Sequence, residues 1–391
     1  MRFHEVSQAP FRRDFLGGVK MTMTKTLTLT SALAVLATGA LAQSPIYGSW
    51  PPASDYLNTD TLPEAFEMIS EATDGALQWE LIAGGQLADG RGTLAAVTDD
   101  LMQGGLQIPV YTPQAMPSLT LLYSIVVPGD DPMAAAAAAA ETVFLNCPSC
   151  LAEARDNNTL LLGGFASASY RLMCTSPVRT ISDMEGLRIR ATGGYSELAA
   201  MGGATPMSTT LTEAVGLLQR GGLDCLMATR EWLQTYGYGE YAKYVTDLPL
   251  GNSAPAIGLL MNRALFTGLS EDEQQAMLHA SAFITAKHTI GNYVLRDQES
   301  FENQQEVNGV ELVEPDAELV AMVEGFSEAD RARLIEVGTQ LGVEDPEALI
   351  ETYLAAVERW QGVSAELGTD IDAWTQRLWD DVFSQVDVSS L

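Results

Sequence analysis

Arg190 ends a short apolar-basic run, Leu187-Arg188-Ile189-Arg190, just before the Gly-Gly turn at Gly193-Gly194. The alternation predicts a half-buried strand over 187–190. A guanidinium at the carboxyl end of such a strand stands where open α/β sheets bind ligands, and its planar fork suits a carboxylate. The plainer role is a surface arginine paired with an acid of the same chain. Cys147-Pro148-Ser149-Cys150 is the second arrangement with chemistry in it. A redox CxxC opens a helix after a strand. This one follows the Ala-rich helical run 134–144, and a structural disulfide is the plainer reading. With Cys174 and Cys225 the chain has four cysteines, which allow three pairings. Zinc is disfavoured, since the histidines are His4, His279 and His288 alone. No Gly-x-Ser-x-Gly elbow, His-Glu-x-x-His pair or GxGxxG turn is present. No enzyme, metal or cofactor is therefore expected.

The elements around Arg190 alternate. Ser182 and Glu185 have capping-box spacing, Gly186 ends that short helix, and 195–201 starts another. Upstream, strands are expected at 46–50, 77–83, 106–111 and 159–165, with helices at 62–72 and 93–102. Downstream, strands fall at 170–175, 223–227, 245–248, 256–262 and 310–313, with a helix over 229–241. Ser270 and Glu273 form a further capping box opening a long helix to about 304. Asp345-Pro346 starts a helix with the apolar stripe Ile350, Tyr353, Leu354 and Val357. Trp360, Trp374 and Trp379 read as core anchors of this tail. The alternation supports a largely parallel sheet with helices on its faces.

The chain carries 51 acidic and 21 basic side chains, a net charge of -30. That argues against nucleic acid and anionic membranes as partners, but not against an anion held by one local arginine. Hydrophobic residues make up 47% of the 391, enough to bury the cores of two domains. Lys25, the apolar stretch 27–37 and Ala40-Leu41-Ala42 read as a secretory signal cleaved after Ala42. Arg12-Arg13 offers a twin-arginine alternative, though it lies well before the apolar stretch. An exported chain favours disulfides over free thiols.

Four pieces occur in a characteristic order: Thr73-Asp74-Gly75 with Gly84-Gly85-Gln86-Leu87; Asp183 to Arg190; Gly203-Ala204-Thr205-Pro206; and Gly221-Gly222-Leu223-Asp224. Over residues 46–300 this resembles the solute-binding proteins of tripartite ATP-independent periplasmic (TRAP) transporters. The resemblance implies a two-lobed α/β periplasmic-binding-protein fold, with mixed sheets flanked by helices and a long helix bridging the lobes. It implies a leader at 1–42, lobe I from 43–168 plus about 256–296, and lobe II from 169–255 plus about 297–391 with the C-terminal helices. It implies a monomeric periplasmic protein that hands an organic acid to the transporter's membrane subunits. Arg190 falls at the family's carboxylate-clamping position and Arg171 near its second basic position. Cys174 and Cys225 fall in one lobe and can pair, leaving Cys147 with Cys150. One departure stands out. The family's ligand-holding asparagine matches Ala228, followed closely by Trp232, and Trp50 stands in the first strand-to-helix turn. These apolar residues suggest an acid with a bulkier or more apolar body. The alternatives are a periplasmic thiol-disulfide protein using Cys147 and Cys150, and an extracytoplasmic sensor subunit.

Overall fold

The computed structural model describes residues 44–391; the signal segment lies outside them. Among the described residues eleven strands form two sheets. The first contains β1 (Ile46–Gly48), β2 (Glu80–Ile82), β3 (Gly104–Gln107), β4 (Thr159–Phe165) and β10 (Ala256–Asn262), in the order β2-β1-β3-β10-β4. The second contains β5 (Arg171–Cys174), β6 (Arg188–Arg190), β7 (Thr205–Met207), β8 (Cys225–Ala228), β9 (Tyr244–Thr246) and β11 (Glu311–Val313), in the order β11-β9-β5-β8-β6-β7. Both sheets are mixed rather than largely parallel. β10 runs antiparallel to β3 and β4, and β5 antiparallel to β8 and β9. Strand alternation cannot reveal this, because both antiparallel strands enter after short crossings from the other sheet, over 166–170 and 247–255.

Two of those crossings pair with one another. Ser167 donates its N–H to Ser253 O at 3.1 Å, and Tyr170 donates to Gly251 O at 2.9 Å. The third is the long helix. Glu271–Ile290 is capped by the Ser270–Glu273 box and packs along β4 and helix Leu62–Ala72. A π-helical turn, Gly291–Arg296, then leads into Asp297–Asn308, which packs on helix Trp232–Thr235 beside the second sheet. Gly291 lets the Tyr56 ring pack closely there, since a Cβ would sit 2.2 Å from its hydroxyl and push the ring aside.

Local differences from the sequence reading have local causes. The capping box before Arg190 is Thr180–Asp183, not Ser182–Glu185: Asp183 accepts from the N–H groups of Arg179 and Thr180, each at 2.9 Å, and fixes the helix start two residues earlier. The expected strand over 106–111 ends at Gln107, and Pro109, lacking an N–H, opens a 3-10 turn over Pro109–Tyr111. The expected helix over 229–241 shrinks to Trp232–Thr235, because Gly237 turns left-handed at φ 72°.

Helix Pro132–Glu141 carries seven consecutive buried alanines. It is apolar all round and is sandwiched between β4 and the long helices. Helix Pro346–Leu367 packs on it, and helix Ile371–Asp381 packs on Glu271–Ile290. These C-terminal helices therefore lie against helices that pack on the first sheet, whereas the sequence reading grouped residues 297–391 with the second. Among the described residues no helix is long and apolar enough to cross a membrane.

Candidate ligand-binding site

The carboxyl ends of β1, β3 and β4, and the start of antiparallel β10, lie at one edge of the first sheet, since Ala256 pairs with Phe165. The carboxyl ends of β6 and β8 lie beside the start of β5, since Arg171 pairs with Ala228. The loops leaving these ends meet at a cleft. Trp50, Ile108, Tyr111, Tyr123 and Phe165 line it from the first sheet, and Arg190, Leu211, Trp232 and Tyr236 from the second. Ser167, Tyr170 and Ser253 come from the crossing strands, and His288 and Tyr293 from the bridging helix. The cavity, with its mouth, has a volume of about 490 Å3. The two sides are closed upon one another.

Arg190 is 2% exposed. Its Nε donates to Thr209 O at 3.2 Å and its Nη2 stands 3.5 Å from the Tyr111 hydroxyl. Its Nη1 is buried without a hydrogen-bond partner. Among the described residues it makes no salt bridge. The surface-pair role expected as the plainer reading belongs instead to Arg188, two residues before, which grips Asp224 through Nε at 2.9 Å and Nη2 at 2.8 Å. The glycine pair that follows does more than turn the chain. Gly193 has φ 57°, and a Cβ on Gly194 would lie 2.4 Å from Ser124 O. This close approach seats helix Gly194–Met201 against the end of helix Pro117–Ser124, which carries Tyr123.

The walls are aromatic. Trp50 donates its indole N–H to Leu106 O at 2.9 Å and packs against Tyr111. Trp232 is edge-on to Tyr170, with ring centroids 5.4 Å apart, and also meets Tyr236 and Tyr293. Burial pushes the phenols of Tyr123, Tyr236 and Tyr293 well above their ordinary range, so they stay neutral. Burial also holds His288 down to about 3, and its neutral ring packs edge-on to Phe165 with Nδ1 3.1 Å from the Thr61 hydroxyl.

Trp50, Trp232 and Arg190 thus share one cavity. Arg171 does not line it: its Nη1 donates to the carbonyls of Ser169 and Tyr170, and its Nη2 pairs with Asp130 at 3.1 Å. Ala228 is buried at the end of β8 outside the cavity wall. Sequence reasoning missed the tyrosines, Phe165, His288 and the cavity's acid, Asp55. Pro109 after an apolar run was a usable signal for Tyr111; the others had none.

Cys174 and Cys225 are opposite one another in the β5–β8 ladder and are joined, as are Cys147 and Cys150. Cys147 does open a helix, Pro148–Asp156, but it is 3% exposed and Cys150 is 0% exposed. Such burial shields the pair from a dithiol partner. Among the described residues no cluster of His, Cys, Asp or Glu is placed to hold a metal ion.

The family model for bacterial extracellular solute-binding proteins, family 7, matches residues 52–331. Among solved structures, the fold is similar to that of a TRAP periplasmic solute-binding protein from Bordetella bronchiseptica with bound (R)- and (S)-mandelate, at 22% identity and TM-score 0.68, covering 81% of this chain and 99% of that one. It is similar to a marine metagenome TRAP solute-binding protein specific for aromatic acid ligands, in complex with metahydroxyphenylacetate, at 18% identity and TM-score 0.72, covering 81% and 99%. A third, from Chromohalobacter salexigens with bound D-glucuronate, matches at 18% identity and TM-score 0.68, covering 80% and 100%.

Proposed function

This chain belongs to the bacterial extracellular solute-binding proteins of family 7, and from that premise we propose that it captures an organic acid with an aromatic or similarly apolar body. Delivery is to the membrane subunits of a TRAP-type transporter, by a periplasmic monomer released from its leader after Ala42. N-terminal sequencing of exported protein should find Gln43 first; a start within the apolar stretch would overturn that cleavage site.

One observation carries the ligand reading. Arg190 places an unpartnered guanidinium N–H in a buried cavity with aromatic walls. A buried charge without a counter-charge is costly, and a carboxylate there would gain charge-assisted, bidentate hydrogen bonds. Trp50, Tyr111, Trp232 and Tyr293 would cover the faces of an apolar body. Mandelate and metahydroxyphenylacetate in the two neighbours are acids of this kind, while the glucuronate of the third is more polar.

No covalent step is proposed. Binding energy closes the lobes about the three crossings, as hinged binding proteins do. Tyr111 meets Arg190 across the cleft, and Arg91, stacked 5.7 Å over Tyr111, reaches Ser208 O at 3.5 Å. A ligand in the cavity would add to these contacts between the two sides.

A thermal-shift screen over organic acids tests this. A ligand that binds the folded state at 100 times its Kd stabilises by ~2.7 kcal/mol. Aromatic monocarboxylates should raise the melting temperature. A response confined to sugars, amines or neutral solutes would refute the reading.

A further inference from the structure

We infer that Asp55 forms an acceptor subsite in the same cavity as Arg190, so that the preferred ligand is an aromatic acid with a hydrogen-bond donor, hydroxyl or ammonium, away from its carboxylate. The inference rests on the carboxylate reading of Arg190 and adds the other polar group of the ligand.

Asp55 lies in the loop after β1, is 6% exposed and lines the cavity. Its own N–H donates to Pro52 O at 2.9 Å, and its Oδ1 accepts from Leu57 N at 2.8 Å. The carboxylate is therefore held in a fixed orientation. Among the described residues it makes no salt bridge, and Leu57 N–H is its one hydrogen-bond donor. A carboxylate has about four acceptor positions, so most of its capacity is not used by the protein's own donors. Capping one N–H does not call for a buried charge, since asparagine or serine caps as well as aspartate.

The two charged groups of the cavity stand apart. Asp55 follows β1 of the first sheet and Arg190 ends β6 of the second, and among the described residues no hydrogen bond or salt bridge joins them. The aromatic walls connect these groups. Burial raises the Asp55 acid to about 6, against the pull of Leu57 N–H and Arg296, so it is ionised at pH 8. Its acidic neighbour Glu231 does not line the cavity, and burial raises it to about 8. A neutral or cationic donor on the ligand would supply what Asp55 lacks, and hydrogen bonds to ionised groups are the stronger class.

The test is calorimetric titration at pH 8 of wild type, Asp55→Ala and Asp55→Asn with phenylacetate, 3- and 4-hydroxyphenylacetate and 4-(aminomethyl)benzoate. In wild type at least one donor-bearing acid should bind tenfold or more tighter than phenylacetate, a difference of about 1.4 kcal/mol. Preference for the hydroxy acids identifies a hydroxyl donor; preference for the amine identifies an ammonium. Asp55→Ala should shrink the margin to threefold or less. Asp55→Asn keeps the acceptor for Leu57 N–H and so guards against a folding defect; its margin should fall to a third of wild type or lower. If phenylacetate binds wild type as well as every donor-bearing acid, or if the margin survives in both variants, the subsite is refuted and the Arg190 reading stands. If none of the four acids binds wild type, both fall together.

Discussion

Replacing Arg190 by methionine separates its binding role from its structural one. Methionine keeps most of the aliphatic stem and removes the guanidinium. In the closed protein that group is 2% exposed, donates from Nε to Thr209 O, and leaves Nη1 unbonded. Its loss orphans no carboxylate, because Arg190 makes no salt bridge among the described residues. Two hydrogen bonds are lost, the one to the Tyr111 hydroxyl weak at 3.5 Å, a net of about 1 to 2 kcal/mol, against relief of an uncompensated buried charge. The unliganded variant should therefore melt at or near the wild-type temperature. Binding should respond very differently. A ligand carboxylate left desolvated and unpaired costs about 2 to 5 kcal/mol, which raises Kd roughly 30-fold to several-thousandfold. At ligand concentrations of 100 times the wild-type Kd, wild type gains ~2.7 kcal/mol; a variant weakened a thousandfold gains under ~0.1 kcal/mol. The ligand-induced thermal shift should vanish while the unliganded melt stays put. Arg190→Lys should recover part of it, since a point charge lacks the fork. Scanning calorimetry with and without the best acid from the screen measures both quantities. A variant that keeps the ligand-induced shift shows that Arg190 does not clamp the carboxylate. One that loses several degrees without ligand shows that the guanidinium holds the fold.

Two further outcomes follow from buried groups. Glu231 is 0% exposed, its Oε2 has no partner, and burial, with Asp55 and Asp297 nearby, raises it from 4.5 to about 8. The unfolded chain ionises this acid above about pH 4.5, whereas the folded protein keeps the proton until about 8. Glu231 therefore stabilises fully at low pH and loses that contribution as pH rises, by up to about 1.4 kcal/mol per unit. Urea melts at pH 5, 6.5 and 8 should show a stability gain in Glu231→Gln over wild type that grows with pH; a constant difference would refute the assignment. The Cys174–Cys225 bridge closes a loop of sequence separation 51. Chain entropy assigns it about 4 kcal/mol, so Cys174→Ala/Cys225→Ala should lower urea stability by an amount of that order. A loss under about 1 kcal/mol would show that the unfolded chain is already constrained.

How much of this was legible depends on the range of the forces involved. Helix Leu62–Ala72, the Ser270–Glu273 box and strands β4 and β10 follow from periodicity and capping within a few residues, and the structure has them at the expected bounds or starts. Arg190 was legible because its strand and turn are local. Its contrast with Arg171 was not: both end or begin strands beside the same cleft, and the difference is Asp130, brought from a loop 41 residues upstream.

By itself, the sequence determined that two α/β units form, that an arginine ends a strand beside a glycine turn, and that its surroundings are apolar. These are properties of neighbouring residues and of a chain able to bury two cores. The tertiary structure alone decided the rest. Asp55 is one of 51 acidic residues, and nothing in its flanks distinguishes it from a solvated one until β1 and the long helix bury it. Tyr123, Tyr170, Tyr236 and Tyr293 lie far apart in the sequence and become a single wall only where both sheets turn their carboxyl ends together. The C-terminal helices packed on the helices that cover the first sheet for the same reason: an amphipathic stripe specifies that a face is buried, and the surface that buries it is chosen by the folded partner.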